Sequence, residues 1–257
     1  MSIIGTEIKI IVTDLDGTLL RTDLSISEST RNTLSVCRLK GIKVVYATGR
    51  ETFAADRVTT GLNFDGRIIM NGAVAAIDDT VVYNRLIPYN VARPLLIACD
   101  QYGLKTASQG NVTHYSNFIV SDEWPFITSF QIVDFSKHDK DAEKLYMVVR
   151  NRDDILFIEK HLPKELYLSV GRDNLAMVMH REATKSNALA EMARFWGIAQ
   201  PEIVAFGDDL NDIDMLTYAG VGVAVGNALD ETKAASDYIC DTNDADGVAK
   251  WLEENVL

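Results

Sequence analysis

No uninterrupted apolar run in this chain of 257 residues approaches the ~20 residues that a helix needs to cross a bilayer. That excludes a helical membrane span. Cysteine is scarce: Cys37, Cys99 and Cys240 are scattered without metal-ligand spacing, and an odd count suits a reducing compartment. Cys37 and Cys99 lie in helical patterns and read as small core residues. The segment Met1 to Glu7 has no basic region leading into a signal-like apolar stretch, so the expectation is a cytoplasmic protein with no membrane partner. Positive charge is in deficit. Lys and Arg number 25 against 37 Asp and Glu, for a net charge of −12, the opposite of what a nucleic-acid binder needs to displace phosphate counterions. An acidic chain can still bind a small phosphate ester if its site supplies positive charge locally. His114, His138, His161 and His180 show no ligand spacing, and there is neither a Gly-x-Ser-x-Gly nor a Cys/His pairing for acyl chemistry. Internal repeats, low-complexity tracts and long Pro/Gly/Ser linkers are also missing.

What is present begins at Ile8–Val12, a short apolar run that ends in Asp14-Leu15-Asp16-Gly17-Thr18. It reads as a buried strand stopping at a polar site. Two residues apart on an extended backbone, Asp14 and Asp16 would share one face, and Gly17 lets the chain break sharply away. Carboxylates that close cannot both stay ionised in a dry pocket without a cation or a shared proton. The pair therefore suits a divalent metal site or an acid–base pair; the plainer alternative is a strand end with a capping Asp and a turn Asp.

Further strand-like runs lie at Lys43–Tyr46, Arg67–Met70, Ile203–Phe206 and Val221–Val225. Helical patterns at Ser27–Lys40 and Ser186–Trp196 close at Gly41 and Gly197. The alternation predicts a mostly parallel sheet covered by helices, in which ligands bind beyond the carboxyl ends of strands. Polar clusters follow the strands in that place: Asp14–Thr18, Thr48-Gly49-Arg50, Asn71-Gly72 and Gly207-Asp208-Asp209. From about Tyr83 to Ala183 the pattern changes. A helix at Val91–Tyr102 is followed by strands at Leu104–Ser108, Val112–Tyr115 and Leu145–Val149. Then come a helix at Asp153–Leu162 and strands at Leu166–Val170 and Leu175–Met179, which together predict an inserted α+β unit. Ala73–Asn84 reads as a hairpin turning at Asp78-Asp79 and leading into it. Trp124-Pro125-Phe126 reads as a hydrophobic loop packed on the insertion's own sheet.

Thr48-Gly49-Arg50 offers a hydroxyl and backbone N–H groups for phosphate oxygens, and Arg50 could reach a leaving group, although the same triplet makes an ordinary strand-to-helix turn. Lys185 at a helix start would join the free N–H groups there in binding an anion, although a single lysine is more often solvated surface. Gly207-Asp208-Asp209-Leu210-Asn211-Asp212 places three carboxylates and an amide after an apolar strand, which suits a hard cation; a solvated acidic loop is the alternative. Gly220, Gly222 and Gly226 lack the third glycine of a nucleotide fingerprint in its place and read as a tightly packed strand.

Asp14–Thr18, Thr48–Arg50, Lys185 and Gly207–Asp212 resemble, in order, the four motifs of the haloacid dehalogenase superfamily of phosphohydrolases. The insertion between the second and third motifs, together with Asn71-Gly72-Ala73, resembles its Cof-type subfamily. The second Asp after the first points to phosphatases rather than dehalogenases. The resemblance implies a Rossmann-like α/β three-layer core with a mostly parallel sheet at residues 1–82 and 184–257, and an inserted α+β cap at 83–183 that selects the substrate. By the same resemblance Asp14 is the nucleophile and Asp16 the general acid and then base. Magnesium is held by Asp14, the backbone carbonyl of Asp16 and Asp208, with Asp212 supporting its outer shell. Thr48, Gly49, Lys185, Asn211 and backbone N–H groups near Leu15 fix the phosphoryl oxygens, and Arg50 and Asn71 are expected on the substrate. The implied activity is hydrolysis of a small phosphorylated metabolite through an aspartyl-phosphate. A phosphomutase of the same superfamily and a non-catalytic binding protein are the alternatives. Two positions depart from the pattern: Ser186 stands where relatives usually have glycine, and Leu175–Met179 lacks the acidic residue many relatives carry there.

Overall fold

A computed structural model describes residues 5–110, 112–171 and 174–257. Met1–Ile4, part of the segment read above for a leader, lie outside the described residues. The chain forms two compact units, one of residues 1–84 and 184–257, the other of residues 85–183.

The first unit is built on an eight-stranded sheet in the order Tyr238–Ile239, Val221–Ala224, Ile203–Gly207, Ile10–Thr13, Lys43–Ala47, Gly66–Ile69, Val74–Ile77, Thr80–Asn84. The first six are mutually parallel and the last two run antiparallel as the predicted hairpin. Ile10–Thr13 is wholly buried, as a central strand covered on both faces must be. Ile10, Val12, Val45 and Ile68 pack on Ala188, Leu189, Met192 and Ala193 of the helix Lys185–Trp196. That helix starts because the Thr184 hydroxyl accepts the Asn187 N–H, and it stops at Gly197 in the left-handed conformation. Its apolar positions recur at i, i+1, i+4 and i+5, so one face presses on the sheet and carries Lys185 inward. On the opposite face the helices Glu28–Leu39 and Gly247–Asn255 pack together, and Phe206 meets Trp251 edge-on at 5.4 Å. Gly222 has no room for a side chain beside the Leu216 carbonyl, in keeping with the packed-strand reading of that glycine group.

The second unit has a six-stranded sheet in the order Leu166–Val170, Leu175–His180, Lys144–Val148, Lys105–Gly110, Thr113–Ser116, Phe130–Ile132. It is antiparallel except for its last pair. The helices Tyr89–Gln101 and Arg152–His161 bury Leu95, Leu96, Cys99 and Ile158 against Leu145, Met147, Ala176 and Val178. The side chains that alternate with these line the helix-free face: Tyr146 lies in register between Met177 and Ala107, and His114 opposite Gln109. Trp124 does pack on this sheet, edge-on to Tyr146 at 5.7 Å, whereas Phe126 of the same predicted loop is 66% exposed. The short strand Phe130–Ile132 was not anticipated, because three residues carry no readable periodicity. Among the described residues no helix is long and apolar enough to cross a membrane.

Candidate active site

Four parallel strands of the first unit end side by side, and each delivers the residues that follow it to one place. Asp14 follows Thr13, Thr48 follows Ala47, Asn71 comes just after Ile69, and Asp208 follows Gly207. Lys185 arrives from the helix beneath them. Its ammonium is fully buried and donates to Asp14 Oδ1 and to Asp212 Oδ1, each at 2.6 Å. The other oxygen of Asp212 accepts the backbone N–H groups of Asp208 and Asp209, at 2.9 and 3.1 Å. Asp208 Oδ1 accepts the Thr18 hydroxyl at 2.8 Å, and its backbone carbonyl accepts the Leu229 N–H at 2.9 Å.

One oxygen from each of Asp14, Asp208 and Asp212 lies within 4.8 Å of the others. Three carboxylates against one ammonium leave an excess of negative charge in a largely buried place. Burial drives the Asp14 carboxyl well above its usual range; Asp212 and Asp208 push the same way and Lys185 opposes them. Burial also pushes Asp208 up to about 6, held back by the Thr18 hydroxyl. Lys185 moves upward despite burial, because Asp14 and Asp212 hold its charge. Hard oxygen donors whose ionisation is costly unless countered by positive charge fit a divalent cation. Asp14 and Asp208 would hold it, with Asp212 supporting its outer shell.

The loop geometry corrects one expectation. Asp14 and Asp16 do not share a face, because the strand ends at Thr13 and the chain turns at once. Leu15 O accepts the N–H groups of Thr18 and Leu20 at 3.3 and 2.8 Å, and Gly17 adopts φ +77°. A side chain on Gly17 would also run into Asp208. Asp14 is therefore buried while Asp16 points to the rim, where both its oxygens are taken by Arg50. The Asp16 carboxylate stands outside the acidic triad, which leaves its backbone carbonyl as the group expected at a metal. Arg50, expected on a leaving group, has its guanidinium on Asp16 instead.

Thr48, Gly49, Asn71 and Asn211 come together. Arg50 N donates to the Thr48 hydroxyl at 3.1 Å, and Asn211 Nδ2 donates to Asn71 Oδ1 at 2.9 Å. A side chain on Gly49 would meet that same Asn71 oxygen. Asn71 sits at φ +54° in a tight turn whose N–H bonds Thr48 O at 3.0 Å. Gly72 follows at φ +95°, with space for a Cβ taken by the Thr184 carbonyl at 2.1 Å. This close approach seats the start of the Lys185 helix against the turn that carries Asn71. Gly72→Ala is therefore expected to cost at least about 2 kcal/mol from the positive φ and the clash together, read as a lower urea midpoint with an unchanged m-value.

Asp209, counted among the acidic site residues by sequence, turns away: its carboxylate accepts the Leu210 N–H at 2.6 Å and caps the following turn. Asp214 was missed. It accepts the Ser186 N–H at 2.9 Å, so the residue that departs from the family's glycine has its amide satisfied and the helix start is held in place. An acidic residue in the first turn of a helix was the available signal, but nothing local to Asp214 points to Ser186. Asn227 was missed too; it donates to Gly17 O at 2.7 Å and accepts the Asn243 N–H at 2.9 Å, bracing the turn after Asp16.

A family model described as haloacid dehalogenase-like hydrolase matches residues 11–252. A 5-amino-6-(5-phospho-D-ribitylamino)uracil phosphatase of Bacillus subtilis is 30% identical over 255 residues, covering 98% of this chain and 97% of that protein. A phosphatase of the haloalkanoate enzyme superfamily from Bacteroides thetaiotaomicron superposes with a TM-score of 0.84 at 27% identity, over 97% of this chain and 96% of its own. A subclass IIB sugar phosphatase of the superfamily gives 0.79 at 27% identity, over 95% and 98%.

Proposed function

This chain belongs to the haloacid dehalogenase-like hydrolases, and on that premise we propose that it is a magnesium-dependent phosphatase of small phosphorylated metabolites, working through an aspartyl-phosphate on Asp14. The observation that carries the reading is the Asp14–Lys185–Asp212 chain of 2.6 Å contacts, with Asp208 alongside. It puts an anionic nucleophile beside a buried cation, as attack on a phosphate dianion requires.

Asp14 attacks phosphorus while the bond to the ester oxygen breaks, and Asp16 delivers a proton to that oxygen. A water then adds to the same phosphorus as Asp16 takes its proton, and the Asp14–phosphorus bond breaks to release inorganic phosphate. Splitting the hydrolysis this way replaces one difficult step by two easier ones. Lys185 counters charge on Asp14 and on the phosphoryl group, while Thr48, the Gly49 N–H and Asn211 bind the equatorial oxygens. A magnesium ion would be held by Asp14, Asp208 and the Asp16 carbonyl, with Asp212 supporting its outer shell, and would supply charge neutralisation.

All of these residues lie in the first unit, which leaves the second, residues 85–183, to select the organic part of the substrate. Its helix-free face carries the half-buried Met177 and Lys144 beside His114 and Tyr146, a buried pair that shares a hydrogen bond of 2.7 Å. Burial, with a smaller contribution from Lys144, lowers His114 to about 4, so it is a neutral polar group at pH 7. A phosphorylated polyol on a heterocycle, as in the Bacillus relative's name, or a sugar phosphate is the class to screen first.

The test is phosphate release from an aryl phosphate and from a panel of such esters after exhaustive chelation and after magnesium is restored. Activity is expected to vanish and return, with calcium a poor substitute because it prefers looser, higher coordination. Full turnover in the chelated protein would overturn the metal requirement. Transfer between two positions of one sugar without release would identify a mutase.

A further inference from the structure

Arg50 grips Asp16 with Nε to Oδ2 at 2.6 Å and Nη2 to Oδ1 at 2.5 Å, a fork that occupies both carboxylate oxygens. The Asp16 side chain is 46% exposed and that of Arg50 25%. A pair so open to water contributes at most about 1 kcal/mol to the fold, so stability does not account for it. Arg50 is otherwise well anchored. Its N–H is held by the Thr48 hydroxyl, its carbonyl accepts the Met70 N–H at 3.1 Å, and its third nitrogen reaches Ala54 O at 3.4 Å. The guanidinium thus stands on the turn that carries Thr48, and it reaches across to the turn that carries Asp14.

A carboxylate on an exposed turn has free rotation unless something fixes it, and a planar fork fixes both its place and its plane. An oxygen engaged by the guanidinium cannot at the same time be aimed at a leaving oxygen. One bond of the fork has to be given up in each turnover. A second anion arriving beside Thr48 is the natural competitor for a guanidinium. We propose that Arg50 is the positioning residue for Asp16: it holds this carboxylate at the rim by both oxygens, yields one of them when a phosphate ester docks so that this oxygen can take from solvent the proton it passes to the leaving oxygen, and so acts on the reaction through Asp16. This inference rests on the phosphatase reading.

The experiment is a double-mutant cycle of Arg50→Met and Asp16→Asn, with kcat and KM measured on an alkyl and an aryl phosphate. With Asp16 present, Arg50→Met is expected to lower kcat for the alkyl ester on the order of 10²-fold, the scale of a misplaced catalytic group, and to affect the aryl ester far less. With Asp16→Asn in place, the same substitution should change kcat less than about twofold, because the residue through which it acts is gone. Arg50→Lys should keep KM but recover little of kcat, since an ammonium supplies charge without a fork. Equal losses in both backgrounds, or a loss confined to KM, would overturn the proposal and return Arg50 to direct substrate binding. Should Asp16→Asn turn over too slowly, phosphoenzyme formed from the alkyl ester in a single turnover gives the same comparison. A second measurement needs no activity: the Arg50 Nε–H resonance, slowed in exchange by the fork, should become fast-exchanging in Asp16→Asn. An unchanged resonance would refute the fork itself. A wild-type protein that releases no phosphate from any ester, yet shows the resonance change, would instead overturn the phosphatase reading and leave the pairing intact.

Discussion

Asp14→Asn is expected to abolish phosphate release, lowering turnover on the order of 10⁴-fold or more, the scale seen when a nucleophile is removed. The amide that replaces the carboxylate cannot attack phosphorus, and no other carboxylate can take its place. Asp212 is locked by Lys185 and two backbone amides, Asp208 is held by Thr18, and Asp16 points to the rim. Acid-quenched wild-type protein should carry a labile phosphoryl group after mixing with an aryl phosphate, and the variant should carry none. The substitution has a second consequence, in stability. Asp208, at about 6 in the folded protein against 3.8 for an ordinary Asp, binds its proton more tightly folded than unfolded, and Asp14 is shifted in the same direction. The stability of the chelated protein should therefore fall as pH rises from about 4 through 6. Asp14→Asn should flatten that fall, because it removes one of the groups whose ionisation is resisted. Magnesium should flatten it as well. A chelated wild-type protein that grows more stable over this interval would contradict the assigned crowding of charge.

Lys185→Met keeps the length of the side chain and removes its charge, and the expected damage is to the fold as well as to activity. The ammonium is the shared donor of two carboxylates that are themselves buried. Removing one partner from such a group leaves uncompensated charge and costs about 3–5 kcal/mol. The urea midpoint of the chelated protein should drop accordingly, with part of the loss recovered by magnesium, which supplies countercharge to the same oxygens. Phosphate release should stay suppressed even where the fold is restored, since the cation beside Asp14, proposed to counter charge on the phosphoryl group, is gone. In the wild type the upward shift of Lys185 keeps its charge through the neutral range. Its contribution to stability is complete below 10.5 and is lost only as pH rises through the raised folded value. A variant with an unchanged midpoint would contradict the assignment of Lys185 as the countercharge of Asp14 and Asp212.

The central strands were legible because burial on both faces demands short unbroken apolar runs, and Ile10–Thr13, Lys43–Ala47 and Ile203–Gly207 are runs of that kind. Helix ends were legible where a capping hydroxyl and a glycine mark them, as at Ser27 and Gly197. The short pieces escaped. Thr52–Val58 and Asp230–Ala235 span only one or two turns, too few for a 3.6-residue period to show, and each buries a single side chain, Ala55 and Thr232.

The sequence by itself determined which polar residues stand at the strand ends and in what order: two carboxylates, a Thr-Gly-Arg, a helix-opening lysine and an acidic loop, each placed after or beside an apolar run. Residue type and local period are local properties, so one chain is enough to read them. Which carboxylate faces which cation was decided only in three dimensions. Asp14 and Lys185 are 171 residues apart, Asp16 and Arg50 are 34 apart, and their pairing depends on parallel strands ending side by side and on a turn that sends Asp16 outward. The roles of Asp214 and Asn227 are of the same kind, since each satisfies a backbone group on a segment remote in sequence. Packing brings such partners together, and Coulomb energies that fall with distance and rise with burial then set what each group can do.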